Sequence, residues 1–176
     1  MSTTTVSINN LNRIGGLAAI VGLLLMFGYA ALPLLLGVGM LVMAVYYFAL
    51  YRADSSVLNL VATLSAVGGS LALFVTGVAP HMAQNAAMFA AFFLPSLLAG
   101  LAANGQAGFP RALAIIGIVG GVFGVLNFIV VTLAGGDYTN PNNPALTPFV
   151  WATYIPTMLA TLVWLVWGGI HMFRKA

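Results

Sequence analysis

The chain has 176 residues, of which 62% are hydrophobic and only 4% are charged, whereas an ordinary soluble domain carries about 25% charged residues. So few charges could not keep a folded surface hydrated, and the composition therefore predicts a surface that faces lipid. The five Lys and Arg residues are scattered, which excludes a basic nucleic-acid patch, and the absence of Cys excludes disulfides, thiolate nucleophiles and Cys-based metal centres.

Six apolar segments are long enough to cross a bilayer, since a transmembrane helix needs about 20 residues. In chain order, we predict spans at residues 13–31, 34–51, 57–78, 86–104, 112–134 and 149–172. The fold class is therefore all-α, a polytopic bundle of six transmembrane helices. A polar tail at 1–12 precedes the transmembrane domain at 13–173, and a short basic C-terminus follows at 174–176.

The boundary between spans one and two rests on Pro33. Residues 14–51 carry no charge, and as one helix they would measure about 57 Å, nearly twice the ~30 Å hydrocarbon core. Pro33 breaks this run and predicts a tight helical hairpin. A first hairpin that re-enters the membrane without crossing it stays open as an alternative.

The basic residues all fall on one side of a six-span topology. They are Arg13, Arg52, Arg111, Arg174 and Lys175. A topology of five spans would instead place Arg13 opposite Arg52. Because loops rich in Lys and Arg stay in the cytoplasm, we predict that both termini are cytoplasmic.

Aromatic residues mark the predicted membrane interfaces. Tyr46, Tyr47 and Tyr51 cluster at the cytoplasmic end of span two, where amphipathic rings prefer the headgroup region. In span six, about 24 Å of helix separates Trp151 from Trp167, which predicts one Trp at each interface.

Span five carries small residues at the spacing of one helical turn. Gly117, Gly121 and Gly124 share one stripe, and Gly120, Gly124 and Asn127 share an adjoining one. Lipid gives no hydrophobic drive for helix association, so such stripes predict a close packing interface. We expect this interface to pack within the chain, and the docking of a second subunit on it is the alternative.

Ionisable residues are missing from the central part of every predicted span. Proton pumps, ion-coupled carriers and voltage sensors need such groups, and retinal proteins need a Lys inside the bundle. No Ser is placed with a His or Lys base, so we predict no catalytic residue, no metal site and no bound cofactor. His81 and His171 fall on opposite sides, which excludes a haem held by both; ligation of a haem or pigment by one His stays open.

The outer side of the bundle is the predicted location of any functional site. It holds the one long loop, at 135–144, which is rich in Gly, Asn and Pro and therefore predicted to form turns. The candidate residues are His81, Asp137, Tyr138, Asn140 and Tyr154. A lone carboxylate is too few for calcium, and the competing interpretation is that a surface loop simply collects polar residues.

Three short sequences give the chain a family resemblance. They are Leu-Asn-Arg-Ile-Gly-Gly-Leu at 11–17, Phe-Pro-Arg at 109–111 and Trp-Leu-Val-Trp-Gly-Gly-Ile at 164–170, the last followed by Arg174 and Lys175. In these features the chain resembles a group of uncharacterised bacterial six-span membrane proteins defined by a domain of unknown function. The resemblance implies a bacterial inner membrane and implies no activity or site.

These observations favour a non-catalytic integral membrane protein. We expect an accessory or structural subunit that packs in a membrane assembly, with the lipid bilayer, other membrane subunits or a second copy as partners. The alternative is a carrier or binding protein for an uncharged or lipid-like small molecule. An intramembrane enzyme ranks last because no reactive group is suitably placed.

Overall fold

The computed structural model describes residues 7–28, 31–32, 34–76, 81–136 and 142–176, and these form six helical spans. A π-helical segment at Phe89–Phe93 joins α4 to α5 within the fourth span, and a short 3-10 turn at Pro144–Leu146 leads into the sixth. The helices are α1 (Ile8–Phe27), α2 (Leu34–Asp54), α3 (Val57–Thr76), α4 (His81–Met88), α5 (Leu94–Ala103), α6 (Arg111–Ala134) and α7 (Thr147–Arg174). The prediction of an all-α bundle with six membrane-length helices is confirmed.

Several helices begin earlier in the chain than the predicted spans, and at α1 a capping residue explains the difference. α1 begins at Ile8 because the Ser7 hydroxyl accepts the backbone N–H of Asn10 at 3.3 Å, so residues 8–12 are helix and Arg13 lies inside α1. The fourth span begins at His81 and not at residue 86, and α7 begins at Thr147 and not at residue 149. Pro33 itself lies outside the described residues, between the end of α1 and the start of α2.

The six spans form a ring in chain order that α7 closes against α1. α2, α7 and the π-helical segment meet in the middle, and the largest fully buried side chains come from these elements, among them Trp164, Tyr46 and Phe92. The outward face is apolar along the whole ring, with Leu64 62% and Leu133 72% exposed. An exposed apolar surface of this extent is what a lipid solvent requires.

Glycines set the closest helix crossings in the ring. A Cβ placed on Gly169 of α7 would lie 2.8 Å from the carbonyl oxygen of Gly16 on α1. A Cβ on Gly39 of α2 would lie 2.7 Å from the backbone nitrogen of Met26 on α1. Backbones that approach so closely gain dispersion contacts, which in lipid take the place of the hydrophobic effect.

Pro95 explains the π-helical segment of the fourth span. A proline inside a helix has no N–H to donate and its ring crowds the carbonyl one turn earlier. The chain widens over Phe89–Phe93, and the N–H of Leu94 bonds the carbonyl of Phe89. The Ser65 hydroxyl of α3 donates to the Ala90 carbonyl at 2.7 Å, so a neighbouring helix satisfies a backbone group inside the widened turn.

The alternating helix directions gather all five Lys and Arg residues at one end of the bundle. We call this the basic end; α1, α3 and α6 begin there, and α2, α5 and α7 end there. The Arg13 guanidinium donates to the backbone oxygen of Ala176 at 3.5 Å, so the start of α1 and the C-terminal residue lie together. The opposite end is called the distal end below.

Candidate functional site

A cavity of about 260 Å³ opens at the distal end, between the start of the fourth span and the end of α6. Met82 and Asn85 come from α4, Val131 and Thr132 from the last turn of α6, and the remaining wall is the loop that follows α6. The lining residues are Met82, Asn85, Val131, Thr132, Gly135, Gly136 and Asn142. None of these described lining residues carries a charged side chain.

Hydrogen bonds hold the loop over the end of α6 and so fix the cavity wall. The Asn85 side-chain amide donates to the carbonyl of Gly136 at 3.0 Å, and the Asn142 N–H donates to the carbonyl of Gly135 at 3.0 Å. Gly135 and Gly136 adopt φ of 66° and 79°, a region that favours glycine. The wall is therefore built from amides, one hydroxyl and two apolar side chains, a lining that suits a small neutral group.

Two of the predicted outer-side residues are next in sequence to residues that line this cavity. Asp137, Tyr138 and Asn140 lie outside the described residues, and of His81 only the backbone, as the first residue of α4, is described. Met82 directly follows His81 and Gly136 directly precedes Asp137, so both predicted residues adjoin residues that line the cavity.

The fifth predicted residue of that site, Tyr154, is described. It lies half-buried on α7, with its ring 5.7 Å from that of Trp151 in an edge-on arrangement. It is not among the residues that line the cavity.

The glycines of span five all pack inside the chain. A Cβ on Gly117 would lie 2.7 Å from the Trp164 ring, and one on Gly120 would lie 3.0 Å from the Thr161 hydroxyl, so these two glycines face α7. Gly121 and Gly124 instead face the fourth span. A Cβ on Gly121 would meet the backbone of Leu97, and one on Gly124 would lie 2.6 Å from the Cβ of Phe93.

Asn127 continues this packing face with a hydrogen bond between helices. It is fully buried, and its side-chain amide donates to the Val150 carbonyl at 3.0 Å and to the Thr153 hydroxyl at 2.9 Å. The bond ties the distal half of α6 to the first turns of α7. A buried amide bonded across helices contributes about 1 kcal/mol in membrane proteins.

The basic half of the bundle contains an aromatic cluster that the sequence did not predict. Tyr46 and Tyr47 were expected at the interface, but both are buried in the middle of the ring, and only Tyr51 keeps partial exposure. The ring of Tyr46 lies 5.2 Å from that of Tyr47 and 6.2 Å from that of Trp164. The ring of Phe109, in the loop between α5 and α6, lies 5.8 Å from that of Trp164.

Several polar atoms in this cluster are buried with few hydrogen-bond partners. The Trp164 N–H is directed at the Tyr47 hydroxyl, whereas the Tyr46 hydroxyl and Nε2 of His171 have no partner. A buried polar group left unpaired costs about 1–3 kcal/mol, so several together are a feature that needs an explanation. The sequence signal that could have revealed the cluster is Gly168, whose missing side chain leaves room for the Tyr46 hydroxyl.

Trp151 and Trp167, each predicted to lie at one membrane interface, are near opposite ends of α7. They are 38% and 41% exposed. Among the described residues no group of three or more His, Asp or Glu side chains is arranged to hold a metal ion.

No protein family, curated protein or solved structure matches the chain.

Proposed function

We propose that the chain is a non-catalytic multi-pass membrane protein that binds a small uncharged or lipid-like molecule in its distal cavity. The observation that supports this is the neutral lining that the described residues give that cavity, which combines amides and a hydroxyl with apolar walls. Ligand pockets typically join an apolar body to a few fixed polar groups. A headgroup such as an alcohol or an amide fits this lining, and no described lining residue offers a counter-charge to an ion.

Access to the cavity from the bilayer also favours a lipid-like ligand. Met82 is 57% exposed and Leu133, next to Thr132, is 72% exposed, so the cavity lies beside the lipid-facing surface of α4 and α6. A molecule with one acyl chain could keep that chain in lipid while its headgroup occupies the cavity.

Thermal unfolding in mild detergent tests this proposal, with a C14 monoacylglycerol as the uncharged probe and the C14 fatty acid at neutral pH as the charged one. We expect the monoacylglycerol to raise Tm saturably and the fatty acid to leave it unchanged. Thr132→Phe, which fills the cavity, should abolish the shift, and Leu133→Phe, on the lipid face, should preserve it. A shift of equal size in both variants would mean that the probe binds elsewhere.

An accessory-subunit role is the second candidate. The glycine faces of α6 are occupied within the chain, so a partner would have to bind another surface. Gly68 of α3 is exposed, and among the described residues no neighbouring atom lies within 4 Å of a Cβ placed there. Leu64 and Leu71 flank it on the same exposed face, so a helix of a partner could approach α3 closely at this point.

Native mass spectrometry of the protein in mild detergent distinguishes this second candidate. A stoichiometric partner, or a second copy, that Gly68→Leu removes and Val61→Leu retains would favour the subunit role. If all three proteins are monomeric, the result favours the binding role.

For localisation we propose a bacterial inner membrane with the basic end in the cytoplasm, which the one-sided Lys and Arg residues support.

A further inference from the structure

Three hydrogen-bond donors lie close together inside the basic half of the bundle, and two of them lack an acceptor. The Tyr46 and Tyr47 hydroxyls and the Trp164 indole N–H belong to side chains that are 0–2% exposed. The Trp164 N–H is directed at the Tyr47 hydroxyl oxygen, and neither hydroxyl has an acceptor for its own hydrogen. We call these three residues the donor cluster. Native interiors pair nearly all such groups, so an unpaired set points to an acceptor that binds from outside the chain.

The donors face one another across two helices. Tyr46 and Tyr47 lie on α2, and Trp164 lies on α7. One turn after Trp164, the missing side chain of Gly168 leaves room for the Tyr46 hydroxyl. Tyr46 is eight residues from the end of α2, about 12 Å, and Trp164 is ten residues from the end of α7, about 15 Å. The donor cluster therefore lies at the depth of the upper acyl chains, counted from the basic end.

A loop covers the donor cluster on the side of the basic end. Phe109 places its ring 5.8 Å from the Trp164 ring and 5.4 Å from the His171 ring. It belongs to the connection between α5 and α6, which contains Gly105 at φ 90° and Gly108 at φ 78°. The glycines adopt these φ values without strain, and the His171 side chain hydrogen-bonds the backbone of Gly108, so a ligand that enters past Phe109 has to displace this connection.

We infer that the donor cluster is a second binding site, separate from the distal cavity, for the carbonyl oxygen of a neutral lipid-soluble molecule that enters from the basic end past Phe109. The three groups can all donate, and a carbonyl oxygen accepts two hydrogen bonds. Neither carboxylate nor amine lies among the three, so a neutral acceptor fits better than an ion. A quinone and an acyl ester share this carbonyl chemistry.

Thermal unfolding with two defined probes tests the site and identifies the source of the carbonyl. One probe is a benzoquinone with a ten-carbon side chain, and the other is a dioctanoyl glycerol, both titrated into the full chain in mild detergent. We expect one of them to raise Tm saturably. The apparent affinity should fall at least tenfold in Tyr46→Phe/Tyr47→Phe, which removes two donors and keeps both rings.

Two variants separate the donor cluster from general effects. Tyr51→Phe, at the same end of α2 but outside the donor cluster, should bind like the unaltered chain. Trp164→Phe should weaken binding as the double Tyr variant does, which covers the case in which the double variant fails to fold. Saturable binding of either probe that these variants lose supports the site; no shift with either probe, or an equal shift in every variant, overturns it.

Discussion

The amides of the distal half and the hydroxyls of the donor cluster are used in different ways. In the distal half, Asn85 donates to the Gly136 carbonyl and Asn127 donates to the Val150 carbonyl, so amides join one element to the next. In the donor cluster, the Tyr46 and Tyr47 hydroxyls are buried just as deeply and have no acceptor, and the Trp164 N–H is directed at Tyr47. The distal amides therefore bond the backbone of a neighbouring element, whereas the two hydroxyls do not.

The contrast follows from where each polar group meets backbone. Asn85 and Asn127 lie near the ends of their spans, opposite a loop and the first turns of α7, where carbonyl oxygens are within reach. The donor cluster lies between the middles of α2 and α7, away from loops and helix ends. Aromatic rings surround it, and its polar atoms face other side chains.

The largest expected difference between the two halves is their accessibility from outside the cell. We expect Asp54→Cys, at the basic end, to resist a membrane-impermeant thiol reagent in intact cells, and Thr139→Cys, in the distal loop, to react completely. The one-sided distribution of Lys and Arg is the reason. Permeabilised cells, in which both should react, are the control, and equal labelling in intact cells would refute the orientation.

Gly121→Leu should have the largest effect on stability, because it separates α6 from the fourth span at the level where the halves join. A Cβ there already meets the backbone of Leu97, which cannot move as a side chain can. We expect a loss of about 3 kcal/mol in the free energy of unfolding, the upper part of the range for overpacking. Val122→Leu, on the exposed face of the same helix, is the matched control and should change it little.

Unchanged stability in Gly121→Leu would mean that the helices separate easily at this level. Gly124→Leu provides an independent check, since a Cβ at that position would lie 2.6 Å from the Cβ of Phe93. Phe93 is a side chain and can turn, so we expect a smaller loss at Gly124 than at Gly121.

Asn127→Leu should weaken the distal half by about 1 kcal/mol, since it removes the amide bond from α6 to the start of α7. Unfolding in mixed micelles of increasing denaturing detergent measures the change. Thr132→Val serves as control, because its hydroxyl donates to the Phe128 carbonyl of its own helix and, among the described residues, to no other helix. If both variants lose equally, Asn127 does not hold the helices together.

Sequence predicted the number of spans, since length and apolarity alone decide whether a helix can cross a bilayer. It also identified the glycine stripes of α6, because the spacing of residues along one helix does not depend on which helices surround it. It missed the positions of Tyr46 and Tyr47 because α2 is apolar all round and its sequence carries no signal for the side that faces lipid. The first turn of α1 was missed because Arg13 was taken as the boundary instead of the Ser7 cap.

The sequence predicted the end of the bundle at which the distal cavity lies, but not all of the residues that line it. The long loop and its turn residues predicted that any site would lie at that end. Met82, Asn85 and Thr132 could not be selected, since they come together only when α4 and α6 adjoin in the folded ring. Contacts between spans far apart in sequence leave no local pattern.

The smallest expected effect is also the sharpest test of the comparison, because it is a gain in stability where the other variants lose stability. Tyr46→Phe removes a buried hydroxyl that makes no hydrogen bond and retains the ring that fills the space. Because an unpaired buried polar group is a cost to the folded state, we expect the ligand-free protein to gain up to about 1 kcal/mol in stability. Asn127→Leu should change stability in the opposite direction under the same conditions, and Tyr51→Phe should leave it unaltered. A loss of stability in Tyr46→Phe as large as that in Asn127→Leu would show that the hydroxyl bonds within the protein. The two halves would then be alike, and the donor cluster would be a structural network.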